Sequence, residues 1–295
     1  MKDYLVKGFA YGGTVRIFAA ITTDIVADAQ IKHQTWPTST QALGRTLTAA
    51  VIQGSFYDED QTITVRIDGG GPVGKILVDA DSKGHVRGYI EHTTVNMIYD
   101  VGPKKGQSAV GQAVGTNGFI HITKDLKMKN LFTSSAQLQT GEIAEDFTYF
   151  FAASEQIPSA VGLGVLINDD NTVRCAGGYI LQVMPGCKPE SLDRIEEIIS
   201  KMDPINNMLD AGATPDDVIE ILSDGEWQRL LELDLKFECN CSKEKFERGL
   251  KTLPVEDLEE LLNDETTETN CQFCREKYSF TKEEIIKIME AKDAK

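Results

Sequence analysis

The chain has 295 residues, 41% of them hydrophobic and 26% charged, a balance that suits a folded protein of two or three domains and excludes wholesale disorder or a fibrous repeat. Asp and Glu outnumber Lys and Arg by 46 to 30, a formal net charge of -16, which argues against a nucleic-acid partner held through its phosphates and against an anionic membrane surface. The excess is uneven: residues 1–185 carry a net -3 and residues 186–295 a net -13, and of 25 glycines only Gly186, Gly212, Gly225 and Gly249 fall in the second part.

The first apolar residues are interrupted by Lys7, Gly8, Gly12, Gly13 and Arg16, so no secretory leader is expected, and no stretch reaches the roughly 18 to 20 apolar residues of a membrane span. A reducing, cytoplasmic location is the expectation. Residues 40–53 suggest a helix. Period-two alternation over Gln61–Ile67, the run Asp68-Gly69-Gly70-Gly71-Pro72 and renewed alternation from Gly74 to Ala80 predict strand, turn, strand. Gly69-x4-Gly74-Lys75 opens like a phosphate-binding loop, but Ile76 stands where a hydroxyl is needed and a strand pattern follows, so a glycine-rich hairpin is the better reading. Further strands are expected at Tyr89–Glu91 and Gly118–Thr123. A helix is expected over Glu142–Gln156, its face carrying Ile143, Phe147, Phe150 and Phe151, with Glu142, Glu145, Asp146 and Glu155 as a solvated acidic face and Pro158 as its stop. Strands and helices mixed without strict alternation predict an α+β core domain over residues 1–186.

After this the pattern turns to short helices. Pro189 opens one with the stripe Leu192, Ile195, Ile198, Ile199 and Met202; Pro204 restarts the chain; Thr214-Pro215-Asp216-Asp217 caps a third carrying Val218, Ile221 and Leu222; and Trp227, Leu230, Leu231 and Leu233 predict a fourth. Isolated helices of this length are marginal in water, so residues 187–236 are expected to form a metastable helical linker.

Cys239-Asn240-Cys241 and Cys271-Gln272-Phe273-Cys274 are two tight pairs separated by 29 residues, in an acidic segment with few large apolar side chains. Four thiolates on two corners suit tetrahedral zinc, and zinc would supply the folding energy of a domain over residues 237–295. Ser242, Pro254 and Thr281-x-x-Glu284 mark helix starts within it. Structural zinc contributes about 10 to 16 kcal/mol to such domains, whereas a disulfide within each pair returns only about 1.5 to 2 kcal/mol. Oxidation therefore removes more folding energy than it restores, with adjacent thiols expected to meet first. Lys243, Lys245, Arg248, Arg275 and Lys277 would favour thiolate character, although each taken singly is an ordinary helix charge. A static zinc site is the rival reading. Cys175 and Cys187 lie outside the constellation, as a small core residue and a loop thiol, and His33, His85, His92 and His121 form no metal-binding pair.

The segments Phe237-Glu238-Cys239-Asn240-Cys241-Ser242-Lys243-Glu244-Lys245-Phe246, Leu253-Pro254-Val255-Glu256-Asp257-Leu258 and Cys271-Gln272-Phe273-Cys274-Arg275-Glu276-Lys277-Tyr278 resemble the redox-regulated 33 kDa heat-shock chaperone family. So do Gly69–Gly74, Thr140–Asp146 and Ser154–Ser159, so the resemblance covers nearly the whole chain. It implies a holdase, without catalytic turnover, that binds unfolding client proteins under oxidative stress. The reduced form would hold one Zn²⁺ on Cys239, Cys241, Cys271 and Cys274. Oxidation would pair those thiols, release the metal, unfold the C-terminal domain and linker, and promote a homodimer. The linker stripes then nominate Leu192, Ile195, Ile198, Ile199, Ile221, Trp227 and Leu230 as client contacts. Two other classes stay open: a thiol-disulfide oxidoreductase working through Cys271 and Cys274, and a constitutive zinc-stabilised adaptor.

Overall fold

A helix that is buried almost all round organises the larger part of the chain. The structure, a computed structural model, describes residues 2–58 and 60–293 and divides into two units, Met1–Glu238 and Cys239–Lys295. In the first unit the elements run β1 (Tyr4–Ala10), β2 (Val15–Ile21), α1 (Thr23–His33), α2 (Pro37–Gly54), β3 (Thr62–Asp68), β4 (Ile76–Asp81), β5 (His85–Ile90), α3 (Val110–Val114), β6 (Phe119–Asp125), β7 (Phe132–Gln137), α4 (Ala144–Ala153), β8 (Ser159–Ile167) and β9 (Val173–Val183). They continue through α5 (Pro189–Lys201), α6 (Ile205–Asp210), α7 (Pro215–Leu222), β10 (Trp227–Asp234) and β11 (Lys236–Phe237). The α+β class expected from the sequence is what forms.

Two sheets sandwich α2. One has the order β10-β1-β2-β9-β8 and the other β11-β5-β4-β3-β6-β7, antiparallel throughout except for the short β11–β5 pair. Pro37 starts α2 where its missing N–H costs nothing, and small residues let both sheets approach. A Cβ at Gly44 would lie 2.7 Å from Val26 of α1 and 3.0 Å from Val165 of β8. The buried hydroxyls of Thr46 and Thr48 donate to the carbonyls of Ala42 and Gly44, so both enter the core hydrogen-bonded. The core around it joins Leu5, Phe18 and Ile180 of one sheet to Ile63, Val65 and Val78 of the other.

The six-stranded sheet alternates buried and exposed positions as a half-covered sheet should, whereas β2 and β9 are buried on both faces. The reason lies in the following segment. Ile195 of α5, Ile205 and Met208 of α6, and Val218, Ile219 and Leu222 of α7 pack on Val6, Val15, Ile17, Tyr179 and Leu181, the side of the five-stranded sheet turned away from α2. Residues 189–222 are thus an outer layer on the first unit. The expected cap is present: the Asp217 amide donates to Thr214 Oγ1 at 3.3 Å and the Thr214 amide to Asp217 Oδ2 at 2.8 Å.

Two expectations need correction. Residues 227–234 form a strand rather than a fourth short helix, pairing antiparallel with β1. A short apolar run is ambiguous between periods, and here the free edge of β1 supplies backbone partners. Gly8 of β1 leaves the space that the Trp227 ring occupies, since a Cβ there would lie 2.6 Å from the ring. The acidic residues of α4 are not simply solvated either. Asp146 is fully buried and accepts the amides of Gln139, Thr140 and Ile143 at 2.7, 3.0 and 3.0 Å, while Glu142 accepts from Arg45, Tyr99 and Lys104. The glycine-rich segment continues into β4, as a hairpin does.

The second unit contains α8 (Lys243–Leu250), α9 (Val255–Leu261), the hairpin β12 (Thr266–Asn270) and β13 (Lys277–Thr281), and α10 (Lys282–Asp293). Its core is small: Leu250, Leu258, Phe280, Ile285 and Ile288 are its buried apolar cluster among the described residues, with Phe246 and Tyr278 partly buried at its edge. Among the described residues no helix is long and apolar enough to cross a membrane.

Candidate metal and redox centre

The second unit brings four sulfurs together from two backbone corners. Cys239 and Cys241 precede α8, whose start is fixed by Ser242: its hydroxyl accepts the Lys245 amide at 3.3 Å. Cys271 and Cys274 occupy the turn between β12 and β13, where the Arg275 amide donates to the Cys271 carbonyl at 2.8 Å and Arg275 adopts φ 63°. The final helix is set by the predicted capping box, Thr281 N–H to Glu284 at 2.9 Å and Glu284 N–H to Thr281 at 3.4 Å.

The Sγ atoms of Cys239, Cys241, Cys271 and Cys274 all lie within 4.8 Å of one another, and no disulfide joins them. Cys239 and Cys271 are 3.7 Å apart and Cys241 and Cys274 are 3.3 Å apart. A tetrahedron of sulfurs with bonds of about 2.3 Å to a central ion has edges of about 3.8 Å, so the cluster has the dimensions of one four-coordinate metal ion. An all-sulfur tetrahedral set selects soft metals, zinc or iron, over magnesium or calcium. Both of these contacts cross between the two pairs, and the Cys271 and Cys274 side chains are also hydrogen-bonded to each other.

Electrostatics point the same way. Burial pushes the Cys271 and Cys274 thiols up, and the amides of Phe273 and Cys274 facing Cys271, together with the Glu276 amide facing Cys274, pull in the opposite direction. Backbone N–H groups aimed at sulfur are suited to thiolates, and a bound dication would complete the balance by deprotonating the coordinating thiols. The basic residues expected to serve this purpose are partly engaged elsewhere. Lys243 pairs with Glu284 at 2.6 Å and lies 5.0 Å from the Phe280 ring centroid, and Lys277 pairs with Glu268 at 3.5 Å.

One neighbour carried no assigned role in the sequence reading. The Tyr278 hydroxyl is hydrogen-bonded to Cys241 Sγ at 3.2 Å, and that contact holds its own pKa above the usual range. Its signal in the sequence was only an aromatic residue four positions beyond the second cysteine pair.

Cys175 is buried with its sulfur 3.6 Å from the Asn206 carbonyl, and burial raises its pKa; Cys187 is half-buried in the turn before α5. Neither belongs to the cluster. The seven nominated client contacts lie on α5, α7 and β10 but do not form one open surface. Ile195 is 4% exposed and points into the sheet; Leu192, Ile198, Ile199 and Trp227 are half-buried; Ile221 and Leu230 are 42% and 44% exposed. A groove of about 520 Å³ between α5 and α7 is lined by Ile198, Met202 and Ile221, with Arg194 and Asp224 at its rim.

The family model described as Hsp33 protein matches residues 3–281. The 33 kDa chaperonins of Staphylococcus aureus strains Newman and USA300 are each 44% identical over 291 residues, which is 98% of both chains. The crystal structure of the 33 kDa chaperonin (heat shock protein 33 homolog) of Thermotoga maritima matches with a TM-score of 0.93 at 30% identity, over 100% of both chains.

Proposed function

The chain belongs to the Hsp33 protein family, and from that premise we propose that it is a redox-regulated chaperone. On this reading it is a cytoplasmic holdase without catalytic turnover that keeps unfolding proteins from aggregating under oxidative stress. The observation that carries the reading is the four-sulfur cluster in a unit whose buried apolar cluster holds five side chains. A core of that size rarely sustains a domain alone. One Zn²⁺ per chain, bound by Cys239, Cys241, Cys271 and Cys274 in the reduced form, would neutralise the thiolates and contribute about 10 to 16 kcal/mol to folding.

A peroxide takes two electrons from one thiolate, leaving a sulfenic acid and hydroxide. A second cysteine thiol then attacks the sulfenic sulfur, forming the disulfide and releasing water. The unit loses its donor set with each disulfide. Local pairing within Cys239–Cys241 and Cys271–Cys274 is favoured because the partners of each pair are adjacent in the chain and stay close once the two corners separate.

The outer layer of the first unit supplies what would bind clients. Its helices have six, eight and thirteen residues, too short to persist alone. Their release would expose Leu192, Ile195, Ile198 and Ile199, together with the sheet face of Val6, Ile17, Tyr179 and Leu181 that they cover, adding to the already exposed Ile221 and Leu230 and the half-buried Trp227. An order-to-disorder change is thus the switching element, and the oxidised chain is expected to dimerise. Cys271 and Cys274 sit in a hairpin turn rather than at a helix start, which speaks for a binding site over a thioredoxin-like oxidoreductase.

The test measures zinc content, free thiols and suppression of aggregation of a thermally unfolding client, before and after peroxide. The expected outcome is zinc release with loss of four thiols and gain of suppression. Equal suppression by the reduced, zinc-bound chain would sink the switch.

A further inference from the structure

Tyr278 is tied to Cys241 by a short circuit of packing. Cys241 is followed directly by Ser242, the cap of α8; Phe246 of that helix stacks on the Tyr278 ring with centroids 5.1 Å apart; and the Tyr278 hydroxyl returns to Cys241 Sγ at 3.2 Å. The strand pairing holds the other side, with Tyr278 opposite Thr269 and the Thr269 hydroxyl donating to the Tyr278 carbonyl at 3.3 Å. The hydroxyl is therefore aimed by a ring that has little freedom to turn away.

We propose that Tyr278 is a positioning residue for the metal cluster, holding Cys241 in the four-sulfur set and slowing that sulfur's reaction with electrophiles. The inference rests on the zinc-site reading above. An O–H donated to a ligating thiolate withdraws electron density from sulfur and offsets part of the charge of four clustered thiolates. Groups that hydrogen-bond to metal ligands typically contribute a factor of about 10 to 100 in metal affinity. A donor on Cys241 also makes the four cysteines inequivalent, so the cluster would open from its other sulfurs.

The test uses the full-length, zinc-loaded chain and its Tyr278→Phe variant, which keeps the ring against Phe246. Zinc affinity is read by competition with a chromogenic chelator, and each cysteine's alkylation by iodoacetamide, which forms a thioether and releases iodide, is followed by peptide mass spectrometry. The variant is expected to hold zinc about tenfold less tightly and to alkylate Cys241 several-fold faster, with Cys239 unchanged. Equal acceleration at all four cysteines would indicate general loosening and overturn the proposal, as would unchanged affinity and an unchanged Cys241 rate. If Tyr278→Phe does not load zinc, Phe246→Leu carries the same test, because it removes the support of the ring and keeps the hydroxyl; selective acceleration at Cys241 is again expected, and its absence overturns the proposal. A wild-type chain that holds no zinc overturns the metal reading itself, whereas a zinc-loaded wild type indistinguishable from its variant overturns only the role of Tyr278.

Discussion

The carboxylate of Asp3 accepts the backbone N–H of Ile25 at 2.8 Å, and that of Asp24 at 3.1 Å, so the residue directly before β1 caps the start of α1. The same residue's carbonyl accepts the Leu235 amide at 3.1 Å, tying the β10–β11 junction to the sheet. Burial pushes the Asp3 carboxyl up to about 7, against the pull of those two amides, with the charge of Asp24 adding to the rise.

A pH dependence follows from this shift. Because the folded pKa is raised, the folded chain keeps a proton that the unfolded chain has released from about pH 4 upward. The stability this group contributes is complete below that pH and is lost as pH rises through about 7, by at most about 4 kcal/mol. Tryptophan fluorescence reports the first unit, since Trp36 and Trp227 both lie there. Its thermal midpoint is expected to fall between pH 5 and pH 8, and Asp3→Asn is expected to flatten that fall.

Gly8→Ala tests the seating of β10. The added Cβ would meet the Trp227 ring at 2.6 Å and the Gln228 carbonyl at 3.2 Å, so ring or strand must shift. Overpacking of this kind costs about 1 to 3 kcal/mol. Limited proteolysis is expected to cut residues 227–238 faster in the variant. On the proposed function, the variant also suppresses client aggregation partly without oxidant.

Ile195 and Ile221 were nominated together as client contacts, and their burial separates them. Ile195→Ala removes methyl groups from the packed outer layer and is expected to cost about 2 to 4 kcal/mol in urea unfolding. Ile221→Ala, at a position 42% exposed, is expected to change stability by no more than about 0.5 kcal/mol while weakening client binding by the oxidised chain. Unchanged client binding in Ile221→Ala would remove that residue from the contact set.

Cys271 is the buried member of the cluster and receives two of the N–H groups directed at sulfur. Cys271→Ser is expected to abolish tight zinc binding and to collapse the amide dispersion of residues 239–293 in an NMR spectrum, without any oxidant. The first unit should keep its cooperative unfolding. A dispersed spectrum for the second unit would show that its core suffices without four sulfurs.

Local chemistry was legible in the chain. The CxC and CxxC pairs, the caps at Ser242, Thr214 and Thr281, and Pro189 at a helix start all act within a few residues, so spacing alone announces them. The stripe of α7 was readable for the same reason. Among the elements that went unread in the first unit, β2 and β9 are strands buried on both faces and paired with each other at long range, where neither alternation nor punctuation marks them.

The sequence by itself therefore determined which four cysteines form the cluster, the acidic bias of the second part and the start of most helices, because each is a property of neighbouring residues. Tertiary structure decided the rest. It made residues 227–234 a strand because β1 had a free edge and Gly8 left room for Trp227. It turned 189–222 into a cover because the sheet beneath has a second apolar face. It placed the Tyr278 hydroxyl on Cys241 because the β12–β13 hairpin and α8 meet at Phe246, a contact 32 residues apart in sequence that no local pattern encodes.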